Sequence, residues 1–216
     1  MKKLVIYSAI LGGYDSQKNH YQIDGADYVM FSDQHFSHPT WKVRTVPTLS
    51  IGPQRTNRFY KLHPHQFFPE YEYSLYIDGN WQMTGDLFKV MLEHIGKEVI
   101  CNPCHSNTSK MDSYDEGEHC IKLGKAPAVE IQAQLDLYRR AGLPEAFGLW
   151  GCQFMLRRHI AVECIQLMTL WWNEIKASTV RDQISYPFAH YLMGTFPACT
   201  PGKRMKGLIR KYPHAK

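Results

Sequence analysis

Short apolar runs alternate along this chain with longer segments whose apolar positions repeat with helical spacing. The apolar runs are rich in β-branched and aromatic residues and are bounded by Gly, Asp or Asn, a pattern that predicts buried strands. The predicted strands are residues 4–11, 28–31, 74–77, 98–101 and 148–156. The predicted helices are residues 53–67, 84–95, 126–141 and 159–175. Start or stop signals for the first three helices are Pro53, Thr84, Gly96 and Gly142.

This alternation of strands and helices indicates the α/β class. It predicts one domain over residues 1–200, with a mostly parallel sheet that helices cover on both faces. Ligands of such folds bind beyond the carboxyl ends of the strands, so the loops at 11–15, 32–34 and 78–80 are the candidate binding loops. Residues 201–216 are a basic C-terminal tail with six Lys or Arg residues and no acid.

The composition is that of an ordinary globular protein. The 216 residues are 44% apolar and 21% charged, without repeats, which argues against a disordered or solenoid chain. The first apolar run is too short for a signal peptide, and no apolar stretch approaches the ~20 residues that span a bilayer. We therefore expect a cytoplasmic protein. Six irregularly spaced cysteines in a chain of this size predict reduced thiols.

The tripeptide Asp78-Gly79-Asn80 follows a predicted strand and has two interpretations. It has the composition of a tight turn, because glycine accepts positive φ and Asx side chains bond their own backbone. Its two oxygen-bearing side chains, delivered to the end of a sheet, also suit Mg²⁺ or Mn²⁺ that bridges to substrate phosphates. On the tripeptide alone, both interpretations stay open.

Three cations at intervals of three follow Gly52-Pro53 in the first predicted helix. Arg55, Arg58 and Lys61 spread over a face wide enough to be an ordinary solvated surface. They also lie near a helix N-terminus, where positive charge opposes the helix dipole unless an anion is bound. This mismatch favours a phosphate site.

The other metal and cofactor motifs are weaker. Residues 101–105 read Cys-Asn-Pro-Cys-His, a haem attachment pattern, and together with His119 and Cys120 they suggest zinc. Haem attachment requires export, and adjacent His119-Cys120 lacks the spacing of a zinc module. The chain has no glycine-rich phosphate loop and no G-x-S-x-G motif, which argues against ATPases, dinucleotide enzymes and serine hydrolases.

Two carboxylates, Glu116 and Asp182, are candidate general bases for a hydroxyl group. Asp182 is equally explained as a helix cap, since a carboxylate is favourable at the start of a helix. The tail at 201–216 is either a solvated end or a surface that meets anionic lipid. Aromatic residues fall mainly in apolar runs, where core packing explains them, so we expect no nucleic-acid partner.

Taken in order, five blocks resemble a family of glycosyltransferase-like domains found in plant Golgi proteins linked to mucilage and in bacterial polysaccharide gene clusters. The blocks are YSAILGGYD (7–15), YVMFSDQ (28–34), NRFYKLHPHQFFPEYEYSLYIDGN (57–80), YDEGEHC (114–120) and RDQISYPFAHY (181–191). They span most of the chain, and the long central block is the most specific.

The resemblance implies a GT-A fold, in which a D-x-D-type motif at a strand end holds a divalent metal and the diphosphate of a nucleotide sugar. Asp78 and Asn80 take that position as metal and diphosphate ligands, and Asn80 in place of a second Asp implies weaker binding of Mn²⁺ or Mg²⁺. The other implied donor-binding residues are Ala9, Gly12, Tyr14, Asp33, Arg55, Arg58 and Lys61. The implied acceptor-binding residues are His105, Tyr114 and Gln183, and the implied catalytic residues are Asp182 and Glu116.

The function implied by the resemblance is transfer of a sugar from a nucleotide-diphosphate donor to a glycan or lipid-linked acceptor. The setting it implies is bacterial surface polysaccharide biosynthesis, in the cytoplasm or at the inner membrane face. Inverting and retaining mechanisms are both open. The alternatives are a non-catalytic nucleotide- or sugar-binding protein of the same fold and a nucleotidyltransferase.

Overall fold

The computed structural model describes residues 2–105 and 112–215. Its strands are β1 (Lys2–Ile10), β2 (Ala26–Ser32), β3 (Lys42–Thr45), β4 (Tyr71–Ile77), β5 (Trp81–Met83), β6 (Ile100–Pro103), β7 (Phe154–Arg157), β8 (Ala198–Thr200) and β9 (Ile209–Lys211). Its helices are α1 (Gly52–Leu62), α2 (Pro64–Phe67), α3 (Leu87–Ile95), α4 (Ser113–Lys122), α5 (Ala128–Arg140), α6 (Val162–Ala177), α7 (Asp182–Met193) and α8 (Gly202–Met205).

A central sheet of seven strands, in the order β3-β2-β1-β4-β7-β6-β8, organises the described part of the chain. β1 pairs in parallel with β2 and β4, β2 with β3, and β6 with β8. β7 runs antiparallel between β4 and β6. The predicted α/β class with a mostly parallel sheet is therefore confirmed. A separate two-stranded sheet joins β5 to β9.

Both faces of the central sheet are buried, and β1 displays this most clearly. Tyr7 and Ala9 belong to a core cluster that includes residues of α1 and α6. Ile6 and Ile10 belong to a second cluster on the opposite face, which includes residues of α3. Because successive side chains of a strand point to opposite faces, an almost continuous apolar run is what a doubly covered strand requires.

All four predicted helices have different boundaries in the structure, and two of these differences have a local cause. The single helix predicted at 53–67 is α1 followed by α2, because Pro64 has no amide hydrogen and disfavours helical geometry at His63. The helix predicted from Thr84 begins at Leu87, after Asp86, whose side chain accepts a hydrogen bond from the Lys89 amide.

The strand predicted at 148–156 is also shorter, since β7 covers only Phe154–Arg157. Upstream of it, Trp150 forms an isolated bridge with Cys104 at the end of β6. The segment before β7 is therefore a connection that lies at the carboxyl ends of β4 and β6. This places it beside the loops in which ligands of α/β proteins bind.

Cys104 and Cys199 form a disulfide, so the expectation of reduced thiols was wrong for these two residues. Parallel pairing sets Pro103 opposite Thr200, which brings the neighbouring cysteines to a Cα–Cα distance of 5.0 Å across 95 residues of sequence. Such a contact cannot be read from spacing. The free cysteines of the described chain are Cys101, Cys120, Cys152 and Cys164, all buried. A bonded Cys104 also removes a ligand from the haem and zinc interpretations.

The basic C-terminal segment packs onto the domain. Met205 is buried in the core cluster around α3, and β9 pairs with β5. The Thr84 hydroxyl donates to the Gly207 carbonyl, and the Thr84 amide donates to the Leu208 carbonyl. Residues 202–211 are therefore held by the core and by backbone hydrogen bonds. No helix within the described ranges is long and apolar enough to span a bilayer.

Candidate active site

A buried lysine joins two carboxylates at the carboxyl end of β4. Lys61 Nζ lies 2.7 Å from Asp182 Oδ2 and 3.3 Å from Asp78 Oδ1. The Lys61 side chain is 0% exposed, whereas Asp78 retains 31% of its side-chain exposure. Lys61 Nζ also lies 4.8 Å from the ring centroid of Tyr76. The arrangement presents one accessible carboxylate backed by a fixed positive charge.

Three elements bring these groups together. Asp78 follows the last residue of β4, Lys61 lies in the last turn of α1, and Asp182 is the first residue of α7. A cation in the last turn and an acid in the first turn both complement the helix dipole. The sequence pattern predicted that the α1 cations lie near a helix N-terminus, which is wrong for Lys61. Its charge is therefore matched both to its helix and to Asp182.

Asp182 is more than nine-tenths buried and is held by two cations. Arg58 Nε lies 3.1 Å from Asp182 Oδ2, on the same oxygen that Lys61 contacts. Burial alone would raise the pKa of the Asp182 carboxyl, but the charges of Arg58 and Lys61 outweigh burial and hold that pKa well below its usual range. A carboxylate with so low a pKa has little affinity for a proton, so it is a weak general base.

Gly79 has a different role from the one that turn chemistry predicts. It does not adopt positive φ. A Cβ at this position would lie 2.9 Å from both Asp15 Cβ and Ile10 Cγ1. Glycine is required here because the loop after β4 and the loop after β1 approach each other closely.

The donor-side candidates after β1 and β2 form a hydrogen-bonded group. The Gly12 amide donates to Asp33 Oδ2 over 2.8 Å, and the Thr48 hydroxyl donates to the same oxygen over 3.0 Å. Asp33 Oδ1 is buried and has no hydrogen-bond partner in the described chain. Ala9 accepts a hydrogen bond through its carbonyl from Asn57 Nδ2 of α1. The structure therefore brings Ala9, Gly12 and Asp33 together at the carboxyl ends of β1 and β2.

The end of the chain covers Asn80, which is only 4% exposed. The Tyr212 amide donates to the Asn80 carbonyl over 2.8 Å, and Asn80 Nδ2 donates to the Tyr212 carbonyl over 3.3 Å. His214 Nδ1 lies 2.8 Å from Asp15 Oδ1, and its ring packs against Tyr14 with 4.6 Å between centroids. Burial raises the pKa of Asp15, and the hydrogen bond to His214 opposes this shift.

The metal prediction is only partly matched by these donors. The Asp78 carboxylate is accessible and is a suitable ligand for a hard cation. The Asn80 amide lies beneath residues 212–214. Within residues 2–105 and 112–215, no group of three or more His, Cys, Asp or Glu side chains is arranged to hold a metal. This donor set fits a cation that substrate phosphates complete.

Arg55 is placed apart from this group. Its Nε donates to the Ile175 carbonyl over 3.2 Å, and its Nη2 donates to the Ser178 carbonyl over 2.9 Å. Both carbonyls lie at the end of α6, where a cation complements the helix dipole. Arg55 therefore ties α1 to α6, while Arg58 and Lys61 face the two aspartates.

The acceptor-side candidates divide into two sets. Gln183 Nε2 donates to the Trp150 carbonyl over 3.0 Å, and Trp150 pairs with Cys104, which His105 follows. Gln183 and His105 thus lie near each other, where β6 ends and the segment leading into β7 passes. His105 Nδ1 is buried without a hydrogen-bond partner among the described residues.

Tyr114 and Glu116 form the second set and bond within the helical cluster of α4 and α5. The Tyr114 hydroxyl donates to the Leu143 carbonyl over 2.7 Å, and the Tyr114 ring lies 4.7 Å from the guanidinium of Arg139. Glu116 Oε1 accepts from the Cys120 thiol over 3.3 Å. Among the described hydrogen bonds, none joins Tyr114 or Glu116 to the Lys61 group.

Sequence reasoning missed three residues at this edge, namely Asp15, Cys152 and His214. Asp15 ended a candidate loop, and the others had no motif of their own. Cys152 is buried, and burial raises the pKa of its thiol well above the usual value, with a further contribution from Asp182. A neutral thiol serves here as an apolar wall beside the charged group.

The fold and this charged group together define an α/β domain with a candidate site beyond the carboxyl ends of its strands. The chain matches the TOD1/MUCI70 glycosyltransferase-like domain over residues 25–200. Because this match covers most of the chain, the chain belongs to that family. The predicted resemblance to a family of glycosyltransferase-like domains is therefore confirmed.

The chain is also similar to individual proteins. It is 29% identical over 161 residues to the probable hexosyltransferase MUCI70 of Arabidopsis thaliana, covering 68% of this chain and 26% of that relative. It therefore spans about a quarter of that relative's length. The apo structure of the WbbM bifunctional glycosyltransferase aligns with a TM-score of 0.45 and 13% identity, over 86% of this chain and 36% of that one.

Proposed function

We propose that this chain transfers a hexose from a nucleoside-diphosphate donor to a hydroxyl of a glycan or lipid-linked acceptor in surface polysaccharide biosynthesis. The observation that carries the proposal is the buried cation Lys61, which is held between Asp78 and Asp182 at the carboxyl end of β4. Membership of the glycosyltransferase-like family and similarity to a probable hexosyltransferase support it.

The donor binds across the ends of β1, β2 and β4. Its nucleoside contacts the loop that includes Gly12 and Tyr14, beside Asp33, and its diphosphate faces Asp78. When the sugar leaves, negative charge develops on the departing phosphate, and Lys61 and Arg58 stabilise that charge without moving. A divalent cation at Asp78 would supply Lewis-acid stabilisation of the same oxygens.

Asp182 acts as a positioning residue in this proposal. Its carboxylate fixes Lys61 and Arg58, and its low pKa makes it a poor acceptor for the proton of the attacking hydroxyl. In the transfer, the bond from the anomeric carbon to phosphate breaks and a bond to the acceptor oxygen forms. Glu116 remains the candidate general base, which requires an acceptor that enters beside β6 and β7 to extend its hydroxyl as far as α4.

The acceptor approaches beside β6 and β7, on the side of Asp78 away from Asp33. His105 and Gln183 belong to this side of the sheet. A lipid-linked acceptor would place the protein at the cytoplasmic membrane face, where the exposed cations of residues 203–211 favour contact with anionic lipid.

The proposal is tested by a nucleotide-release assay with a panel of UDP- and GDP-sugars, with and without Mn²⁺. The wild-type chain is expected to release one nucleotide, and Asp78→Ala is expected to reduce the rate at least ten-fold, about 1.4 kcal/mol. Asp136→Ala is the control, because Asp136 is an exposed acid of α5 that pairs with Arg139. Equal rates for wild type and Asp78→Ala would contradict the proposal.

One observation favours a second candidate, a nucleotide-binding protein without transferase activity. Asn80, the second residue of the D-x-D-type motif, is covered by residues 212–214. Such a protein binds UDP or GDP but releases no nucleotide from any sugar donor, with or without an acceptor. A nucleotidyltransferase is distinguished in the same assay, since it releases pyrophosphate from a nucleoside triphosphate.

A further inference from the structure

A cavity of about 420 Å³ lies on the acceptor side of Asp78. Gln153 lines it and connects it to the candidate active site, because the Gln153 carbonyl accepts the Asp78 amide over 3.0 Å. Sheet order places β7 and β6 between β4 and β8, on the side opposite to β1 and β2. The cavity is therefore separate from the group around Asp33, where the nucleoside is proposed to bind.

The cavity is formed where the end of β6 meets the segment after β8. Pro103 and Cys104 contribute one wall, and Met205 and Ile209 contribute apolar surface from the C-terminal segment. The Cys104–Cys199 disulfide ties β6 to β8, three residues before α8 begins at Gly202. Its volume is within the usual range of about 300–1,000 Å³ for small-molecule sites.

Both ionisable side chains that line this cavity in the described chain, apart from the bonded Cys104, are positive. Lys203 and Lys206 are exposed at its rim, and no carboxylate of the described residues lines it. The neighbouring Arg204 pairs with Glu93 over 2.6 Å, whereas neither lysine joins an ion pair of the described residues. Two unpaired cations beside apolar surface favour a ligand with an anionic group and an uncharged body.

We infer that this cavity binds an anionic group, a phosphate or a carboxylate, carried by the acceptor close to the hydroxyl that receives the sugar. Identification of the ligand as the acceptor rests on the proposed transferase function, whereas the presence of an anion site does not depend on that function. Lys203 and Lys206 bind the negative group, while Met205 and Ile209 contact the body that carries it. A lipid-linked acceptor would supply phosphate, and an acidic glycan would supply carboxylate.

The test is calorimetry with three probes, namely octyl phosphate, trigalacturonate and the neutral trisaccharide maltotriose. Each is titrated into the wild-type chain, into Lys203→Ala/Lys206→Ala and into Lys122→Ala/Lys125→Ala. Lys122 and Lys125 are exposed lysines at and after the end of α4, so the control removes the same charge elsewhere. Binding of UDP with Mn²⁺ is measured in all three proteins.

One anionic probe is expected to bind the wild type, and the Lys203/Lys206 pair of substitutions is expected to weaken it about ten-fold or more, or ~1.4 kcal/mol. The control variant and UDP binding are expected to be unchanged. Preference for octyl phosphate identifies phosphate as the recognised group, and preference for trigalacturonate identifies carboxylate. If neither anion binds, if maltotriose binds as well as the anions do, or if the lysine substitutions have no effect, the inference is overturned. Failure of UDP binding alone would overturn the proposed function and leave the anion site standing.

Discussion

Lys61 and Asp182, 121 residues apart in sequence, meet with 2.7 Å between Nζ and Oδ2 in a place where Lys61 has no exposure to solvent. A buried charge is tolerated only when it is paired, so burial of Lys61 requires Asp182 and burial of Asp182 requires a cation such as Lys61. The contact joins the end of α1 to the start of α7 beside Asp78. It links the stability of the domain to the geometry of its candidate site.

Lys61→Met is expected to destabilise the domain strongly. The substitution leaves Asp182 buried with Arg58 as its remaining ion-pair partner among the described residues, and removing one member of a buried ion pair costs roughly 3–5 kcal/mol. The free energy of unfolding in urea measures this loss.

The matched control for this prediction is Lys2→Met. Lys2 also forms an ion pair, at 2.7 Å from Asp27, but both side chains are largely exposed. Exposed pairs contribute little, so this variant is expected to unfold close to the wild-type urea midpoint. Equal losses in the two variants would show that burial of Lys61 has no special importance.

Gly79→Ala is expected to destabilise the domain by about 1–3 kcal/mol, the usual cost of overpacking. The added Cβ would meet Asp15 and Ile10 at 2.9 Å, which forces the loops after β1 and β4 apart. Gly202→Ala is the control, because no atom of the described residues lies within 4 Å of a Cβ there. Thermal unfolding of both variants checks the prediction, and an unchanged midpoint for Gly79→Ala would contradict it.

Stability is expected to fall as the pH decreases from about 6.5 to 4. Burial lowers the pKa of His20, His63 and His159 to about 4 and that of His190 to about 3. An unfolded histidine has a pKa of about 6.5, so in this window the unfolded state binds more protons. Each histidine then removes up to roughly 1.4 kcal/mol per pH unit.

Urea midpoints between pH 7.5 and 4.5 measure this slope. His159→Gln is the useful variant, since Gln keeps a donor for the Phe68 carbonyl that His159 Nε2 contacts. Its stability is expected to depend less steeply on pH than that of the wild type. The lowered pKa of Asp182 stabilises the folded state throughout this pH range. That stabilisation is lost only when the pH falls below the usual carboxyl pKa and Asp182 becomes protonated. A stability that is flat down to pH 4.5 would contradict the account of buried neutral histidines.

His214→Ala is expected to loosen the segment that covers Asn80. The substitution removes the contacts of His214 with Asp15 and with the Tyr14 ring. Hydrogen exchange is expected to become faster at the Tyr212 amide, which donates to the Asn80 carbonyl, and to stay unchanged in β1 and β4. Unchanged exchange at Tyr212 would show that His214 does not hold this segment.

Arg210→Glu/Lys211→Glu is expected to reduce co-sedimentation with liposomes that contain anionic lipid. Both side chains are exposed on β9, and each cation near such a surface contributes about 1 kcal/mol. Charge reversal is preferable to deletion of residues 201–216, because β9 and Met205 are part of the folded domain. Equal sedimentation of the variant and the wild type would exclude these two cations as a membrane contact.

Local patterns predicted the α/β class and most of the central sheet. Residues 4–11 alternate between two core clusters, so their apolar character is visible without any knowledge of partners. Four strands were not predicted: β3, with four residues, and β5, β8 and β9, with three residues each. Strands this short carry too little periodicity to be recognised, and their pairing partners lie far away in sequence.

The candidate site was predicted only in part, because some of its contacts also depend on partners that lie far away in sequence. The resemblance pointed to Asp78, Lys61 and Asp182, which the structure brings together. The cover formed by Tyr212 and His214 depends on the return of the C-terminal segment along β5, which no local pattern encodes. The Cys104–Cys199 disulfide likewise depends on the pairing of β6 with β8.

The proposed function requires that Asp78, backed by Lys61, binds a nucleoside diphosphate. Isothermal calorimetry with UDP and GDP, with and without Mn²⁺, measures this binding in the wild type, in Asp78→Ala and in the exposed-acid control Asp136→Ala. One nucleotide is expected to bind the wild type and the control in the presence of Mn²⁺, and Asp78→Ala is expected to abolish binding. Absence of binding to either nucleotide under every metal condition would contradict the proposed function.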